Sequence, residues 1–129
     1  MATSPSPASD HLMHVLRETI VSLVRRKGAD LSARQLGVLL TCYLHEGNHT
    51  VRGLAAALNV SKPAITRALD RLEEFDLAHR KPDPADRRSV LVSRTTKGNS
   101  FVREIRGFLT AAAAGPRKSE GGSKRGAKG

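Results

Sequence analysis

Residues 50–71, TVRGLAAALNVSKPAITRALDR, decide how this chain reads. Val51, Leu54, Ala55 and Leu58 recur at helical spacing, and after a break Ile65, Ala68, Leu69 and Leu72 do so again, so two short helices each bury one face. Asn59 stands where the first of them has to end, and asparagine is the non-glycine residue that best tolerates the left-handed backbone of such a corner. Ser61 then caps the second helix, and Pro63 lies in its first turn, where a missing N–H costs nothing. Lys62, Thr66, Arg67, Asp70 and Arg71 are left facing outward. A short, rigidly placed helix with polar and cationic groups toward its N-terminus is the form that enters a DNA major groove. Taken alone, the same residues would also serve an ordinary helical hairpin in a bundle.

The composition narrows the choice. The 129 residues suffice for one modest domain, and 22 Lys and Arg against 12 Asp and Glu give a formal charge of +10, which favours a polyanionic partner. Aromatic residues make up only 3% of the chain, so the stacking platforms used for single strands and RNA are scarcely available and duplex DNA is the better polyanion. No run approaches the roughly 20 apolar residues of a membrane span, and the N-terminus does not read as a secretory signal, so a cytoplasmic protein without membrane contact is expected. The single cysteine, Cys42, lies among Leu39, Leu40, Tyr43 and Leu44 and reads as a buried structural thiol. His11 with His14 and His45 with His49 have helix-face spacing, yet no companion carboxylate or thiol completes either set; no metal, cofactor or catalytic group is expected.

Outside the central pair, residues 1–8 (MATSPSPA) read as a disordered lead-in, with Ser9 or Asp10 capping a first helix. Leu12, Met13, Val15, Leu16, Ile20, Leu23 and Val24 form a stripe on it too wide for one neighbour, which suggests a partner subunit. Ser32 and Gln35 make a capping box for a second helix whose Leu36, Leu39, Leu40, Tyr43 and Leu44 face inward, and Thr50 caps the third. Beyond Phe75 the texture changes to a β-hairpin with a long tip: Pro82 and Pro84 forbid helix, and residues 89–93 alternate with β-branched side chains. Arg80, Lys81, Arg87, Arg88 and Arg94 lie in or beside it against Asp83 and Asp86, a basic projection suited to a narrow minor groove. A last helix after Thr96 carries Phe101, Ile105, Phe108 and Leu109 on one face. Residues 115–129 hold five basic residues and one acid among glycines and serines, a basic disordered tail.

The run LAHRKPDPADRRSVLVSRTTKG at residues 77–98, following two helices and preceding another, resembles the winged helix-turn-helix transcription regulators of the MarR family over about residues 10–110. Asp86, Arg88, Val92, Thr95 and Gly98 stand where that family's Asp-x-Arg, strand and Thr-x-x-Gly would put them. The resemblance implies a mainly α fold with a small β-hairpin wing (α+β), residues 9–114 forming the winged domain with N- and C-terminal dimerisation helices, the latter shortened here. It implies a homodimeric regulator on a pseudo-palindromic duplex site, a repressor sooner than an activator, with the recognition helix in the major groove and the wing in the minor groove. Carried over residue by residue, Ser61, Lys62, Pro63, Thr66 and Arg67 approach bases and phosphates, Arg87 sits at the wing tip, and Asp86 with Arg88 braces the wing. Thr50, Arg71, Arg80 and Arg88 complete the candidate DNA contacts, and Leu12, Leu16, Ile20, Leu23, Phe101, Ile105 and Phe108 are the candidate dimer contacts. Arg94 replaces a leucine usual in the family at the wing's exit. Members often answer a small-molecule effector, whose identity these residues do not assign. The competing readings are a winged module that binds another protein, or a non-specific architectural DNA-binding protein; an enzyme is not expected.

Overall fold

The computed structural model describes residues 6–115; most of the N-terminal lead-in and all but the first residue of the basic tail lie outside them. Its elements are α1 (Pro7–Arg25), α2 (Ala33–Leu44), β1 (His49–Thr50), α3 (Val51–Leu58), α4 (Lys62–Glu74), β2 (Ala78–Asp83), β3 (Asp86–Arg94) and α5 (Thr96–Ala114). The chain divides into two compact units: Ala29–Val102, and a second formed from the segments on either side of it. Among the described residues no helix is long and apolar enough to cross a membrane.

In the central unit α2, α3 and α4 meet over Leu39, Leu54, Ile65, Leu69 and Leu72, all essentially inaccessible to solvent. Both corners of α4 use the same device. Asn59 is left-handed (φ +56°), and the Asn59 and Val60 amides donate back to the Ala56 and Ala55 carbonyls; at the far end Asp76 is left-handed (φ +58°), and Asp76 and Leu77 donate to Glu73 and Leu72. Ser61 caps α4 by accepting from the Ala64 amide, and Thr50 caps α3 through the Gly53 amide. The Ser32–Gln35 capping box is complete.

The sheet is antiparallel with order β1-β3-β2. The hairpin tip is shorter than expected: the strands run to a two-residue Pro84–Ala85 turn, held because the Asp83 carboxylate accepts from the Ala85 amide and Asp86 accepts from the Arg88 amide and the Ser89 hydroxyl. Pro82 is tolerated because β2 is an edge strand. The third strand, β1, has only two residues and no period to read; it exists because β3 offers an open edge at Leu91 and Val92.

Three further expectations are corrected. Helix α1 begins at Pro7 with Ser6 as cap, because proline is pre-organised for a first helical position, so residues 6–8 are not lead-in and neither Ser9 nor Asp10 is the cap. In α2 the buried row is Val38, Leu39, Cys42 and Tyr43, with Leu44 about half exposed, because the apolar face of α2 is wider than the part of it that its neighbours cover. Arg94, in place of an apolar residue, tethers the end of α2: its guanidinium donates to the Cys42 and His45 carbonyls (2.9 and 3.2 Å) and lies over the Tyr43 ring.

Tyr43 joins these parts. Its hydroxyl donates to the Leu77 carbonyl (2.7 Å) and accepts from the Thr95 amide (2.9 Å); the Thr95 hydroxyl donates to the Asp76 carbonyl and accepts from the Gly98 amide, capping α5. One phenol thus ties α2, the exit of α4 and the entry to α5. In the second unit, Val15, Thr19, Ile105 and Ala112 are buried, and Arg26, the C-cap of α1, grips Glu104 of α5 bidentately (2.9 Å twice).

Candidate nucleic-acid interface

With the apolar side of α4 turned into the core, Lys62, Pro63, Thr66, Arg67 and Asp70 are exposed on its outer side. A cleft of about 280 Å³ runs between the starts of α3 and α4 and the strands of the wing, lined by Thr50, Val51, Arg52, Lys62, Thr66, Arg80, Arg88, Ser89 and Val90. Every one of these residues belongs to the central unit.

Two helix N-termini contribute to this cleft, and neither has an acidic residue in its first turn. Each carries a cation there instead, Arg52 in α3 and Lys62 in α4. That arrangement opposes the helix dipoles and costs folding free energy, while it suits a phosphate, which both the amides and the cations attract. Arg52 was missed in the sequence; its signal is a basic residue two positions after a capping threonine, where Asp or Glu is the usual choice.

The candidate cations separate into two kinds. Lys62, Arg67, Arg87 and Arg88 are exposed and form no ion pair among those seen in the described residues. Arg71 instead reaches Glu74 (3.4 Å) and stacks over the Phe75 ring at 4.6 Å. Arg80, also among the candidate DNA contacts, is held by Asp70 and Glu73, because β2 runs beside α4 and brings the guanidinium to two carboxylates. Asp86 braces the wing through the backbone amide of Arg88 and not through its guanidinium, which leaves that charge available. The Thr50 and Ser61 hydroxyls are engaged as caps.

The candidate dimer residues divide in the same way. Leu12, Leu16 and Ile20 are exposed, joined by Met13 and Val24, whereas Phe101 and Ile105 are already buried within the chain and Leu23 and Phe108 are half-buried. Phe101 and Ile105 are therefore core residues, since the apolar stripe of α5 turns inward at those positions.

Burial pushes the Cys42 thiol up from an ordinary 9.0 to about 11, against a smaller opposite pull from Arg94. A thiol whose pKa is higher folded than unfolded favours the folded state fully below about pH 9 and progressively less as pH rises toward 11. Native protein at pH 8 should therefore resist iodoacetamide and react promptly once unfolded in guanidinium; equal rates in the two states would contradict the buried thiol.

Residues 31–90 match the family model described as the MarR family. An uncharacterised HTH-type transcriptional regulator of Mycobacterium leprae is 33% identical over 99 residues, which span 77% of this chain and 68% of that protein. Among solved structures, the YusO protein of Bacillus subtilis is 26% identical with a TM-score of 0.65, and a mutant MarR from E. coli complexed with operator DNA is 28% identical with a TM-score of 0.64. Each comparison covers 81% of this chain and 71% of the other.

Proposed function

Because the chain belongs to the MarR family, a family of transcriptional regulators, we propose that it is a sequence-specific duplex DNA-binding regulator acting in the cytoplasm as a homodimer on a pseudo-palindromic site. Helix α4 enters the major groove, the β2–β3 wing reaches the adjacent minor groove, and two half-sites lie roughly 10 base pairs apart. Repression is the favoured output, by occlusion of a promoter. The observation that carries this reading is the sorting of cations: Lys62, Arg67, Arg87 and Arg88 stay exposed and unpaired on the surfaces of α4 and the wing, while Arg71 and Arg80 beside them have acidic partners. A surface adapted to bind another protein would have little reason to keep four uncompensated cations there.

Arg67 and Arg87 should behave differently. Arg67 lies one turn into α4 and reaches a guanine edge bidentately, whereas Arg87, beside the wing tip, answers minor-groove width and potential. Arg67→Ala should cost about 1–3 kcal/mol on the cognate site and relax one position per half-site. Arg87→Ala should weaken binding with the major-groove preferences intact and an effect that varies with flanking A·T content. Selection from a random pool with each variant checks both; an unchanged motif for Arg67→Ala at wild-type stringency would remove that residue from the base-reading set. Log affinity should also fall linearly with log salt at about 0.9 per phosphate contacted, and binding that is flat in salt would sink the DNA reading altogether.

A further inference from the structure

Arg80 is the most heavily engaged cation seen in the central unit. Its Nε and one terminal nitrogen donate to Glu73 Oε1 (2.9 and 2.6 Å), that terminal nitrogen also reaches Asp70 Oδ1 (2.6 Å), and the other points to the Thr66 carbonyl at 3.4 Å. Its backbone amide, on the free edge of β2, donates to Glu73 Oε2 at 3.0 Å. All three guanidinium nitrogens and the amide are thus turned toward α4, and the side chain is only 23% exposed. Arg80 makes the shortest of the polar bonds that fasten the wing's first strand to the recognition helix; His79 beside it lies 3.8 Å from Glu73 Oε2 and 3.1 Å from Asp76 Oδ1.

Asp70 and Glu73 are otherwise hard to explain on this surface. Two carboxylates beside Lys62, Thr66 and Arg67 repel the DNA that those groups attract, and Asp70 is 60% exposed on the outer side of α4. An exposed ion pair by itself contributes little to folding. What the trio does hold is an angle: with Glu73 gripping both the amide and the guanidinium of Arg80, β2 cannot swing away from α4 without breaking several charge-assisted bonds at once.

We infer that Arg80 is a positioning residue, whose clamp by Asp70 and Glu73 sets the wing against the recognition helix so that both grooves are met together. The acidic pair therefore raises affinity for DNA although its charge opposes it. This rests on the DNA-binding reading above and adds to it a role for two acids and a cation that do not themselves touch the duplex.

The inference fixes a sign. Glu73→Gln adds one unit of positive charge, so simple electrostatics, or a freed Arg80 reaching a phosphate, would tighten binding. If the clamp positions the wing, binding weakens instead, on the order of tenfold for residues coupled in one network. The affinity of Glu73→Gln and Asp70→Asn for the site selected by wild type should be measured in the full chain, alone and combined with Arg87→Ala and Arg88→Ala. The expected result is loss of affinity in the wild-type background and no loss where the wing contacts are already absent. Tighter binding by Glu73→Gln, or an equal loss in both backgrounds, overturns the inference. Amide hydrogen exchange on the same free proteins supplies a readout independent of DNA: exchange at Arg80 and along residues 78–94 should accelerate in Glu73→Gln and not in Arg67→Ala. Failure of wild type to bind duplex DNA would refute the functional reading, and the exchange comparison would then decide the clamp by itself, unchanged exchange in Glu73→Gln counting against it.

Discussion

Gly98→Ala is expected to destabilise the central unit by about 3 kcal/mol, against the direction that helix propensity sets. Gly98 lies in the first turn of α5, and alanine in a helix is ordinarily worth about 0.5–1 kcal/mol more than glycine. Here a β-carbon would fall inside the Tyr43 hydroxyl and 2.5 Å from the Leu77 carbonyl oxygen, too near for either to stay in place. Neither neighbour is a free side-chain end: the hydroxyl bonds the Leu77 carbonyl and the Thr95 amide, and the carbonyl belongs to the backbone leaving α4. Overpacking therefore outweighs propensity. Tyr43→Phe alone should cost about 1–3 kcal/mol by leaving the Thr95 amide unpaired, and combined with Gly98→Ala it should cost less than the sum, since the phenylalanine vacates part of the space. Urea unfolding of the three variants measures this, and a Gly98→Ala protein within about 0.5 kcal/mol of wild type would refute the close approach.

The largest effect on binding is expected from charging α1. Leu12, Leu16, Ile20 and Val24 follow one another at four-residue spacing and are 64%, 52%, 43% and 66% exposed, while Val15 and Thr19 point into their own unit. Such a ridge of large apolar side chains on one protomer is the form that packs into a second helix. If two copies meet there, Leu16→Glu or Ile20→Glu places a carboxylate in the interface and should give monomers at micromolar concentration. Each protomer should still unfold cooperatively, because neither side chain supports its own core. With one half-site engaged at a time, affinity for the full site should fall by about 10²-fold or more. Sedimentation and binding on the same samples test both claims. A wild-type protein that sediments as a monomer would exclude the homodimer, and a Leu16→Glu variant that remains dimeric would move the interface elsewhere.

Local chemistry made much of this fold readable in the chain itself. Thr50, Ser32 and Ser61 are caps because a hydroxyl satisfies amides that a helix start leaves open, Asn59 turns the corner because few other residues accept a positive φ, and Ile65, Ala68, Leu69 and Leu72 are buried because their spacing places them on one side of α4. These outcomes depend on neighbours a few residues away, and so did the wing, whose Pro84–Ala85 turn is held by the adjoining aspartates. What depended on residues distant in sequence stayed hidden. No local pattern distinguishes Arg80 from Arg87, yet one is clamped by Asp70 and Glu73 and the other is open, because β2 passes beside α4 and the far end of β3 does not. Strand β1 needed the edge of β3; Phe101 and Ile105 read as dimer contacts on a periodic stripe, and only the packing of α5 shows them buried within the chain. The Thr-x-x-Gly at residues 95–98 was visible as a pattern, but its reason lies 52 residues away in a tyrosine hydroxyl that leaves no room for a side chain.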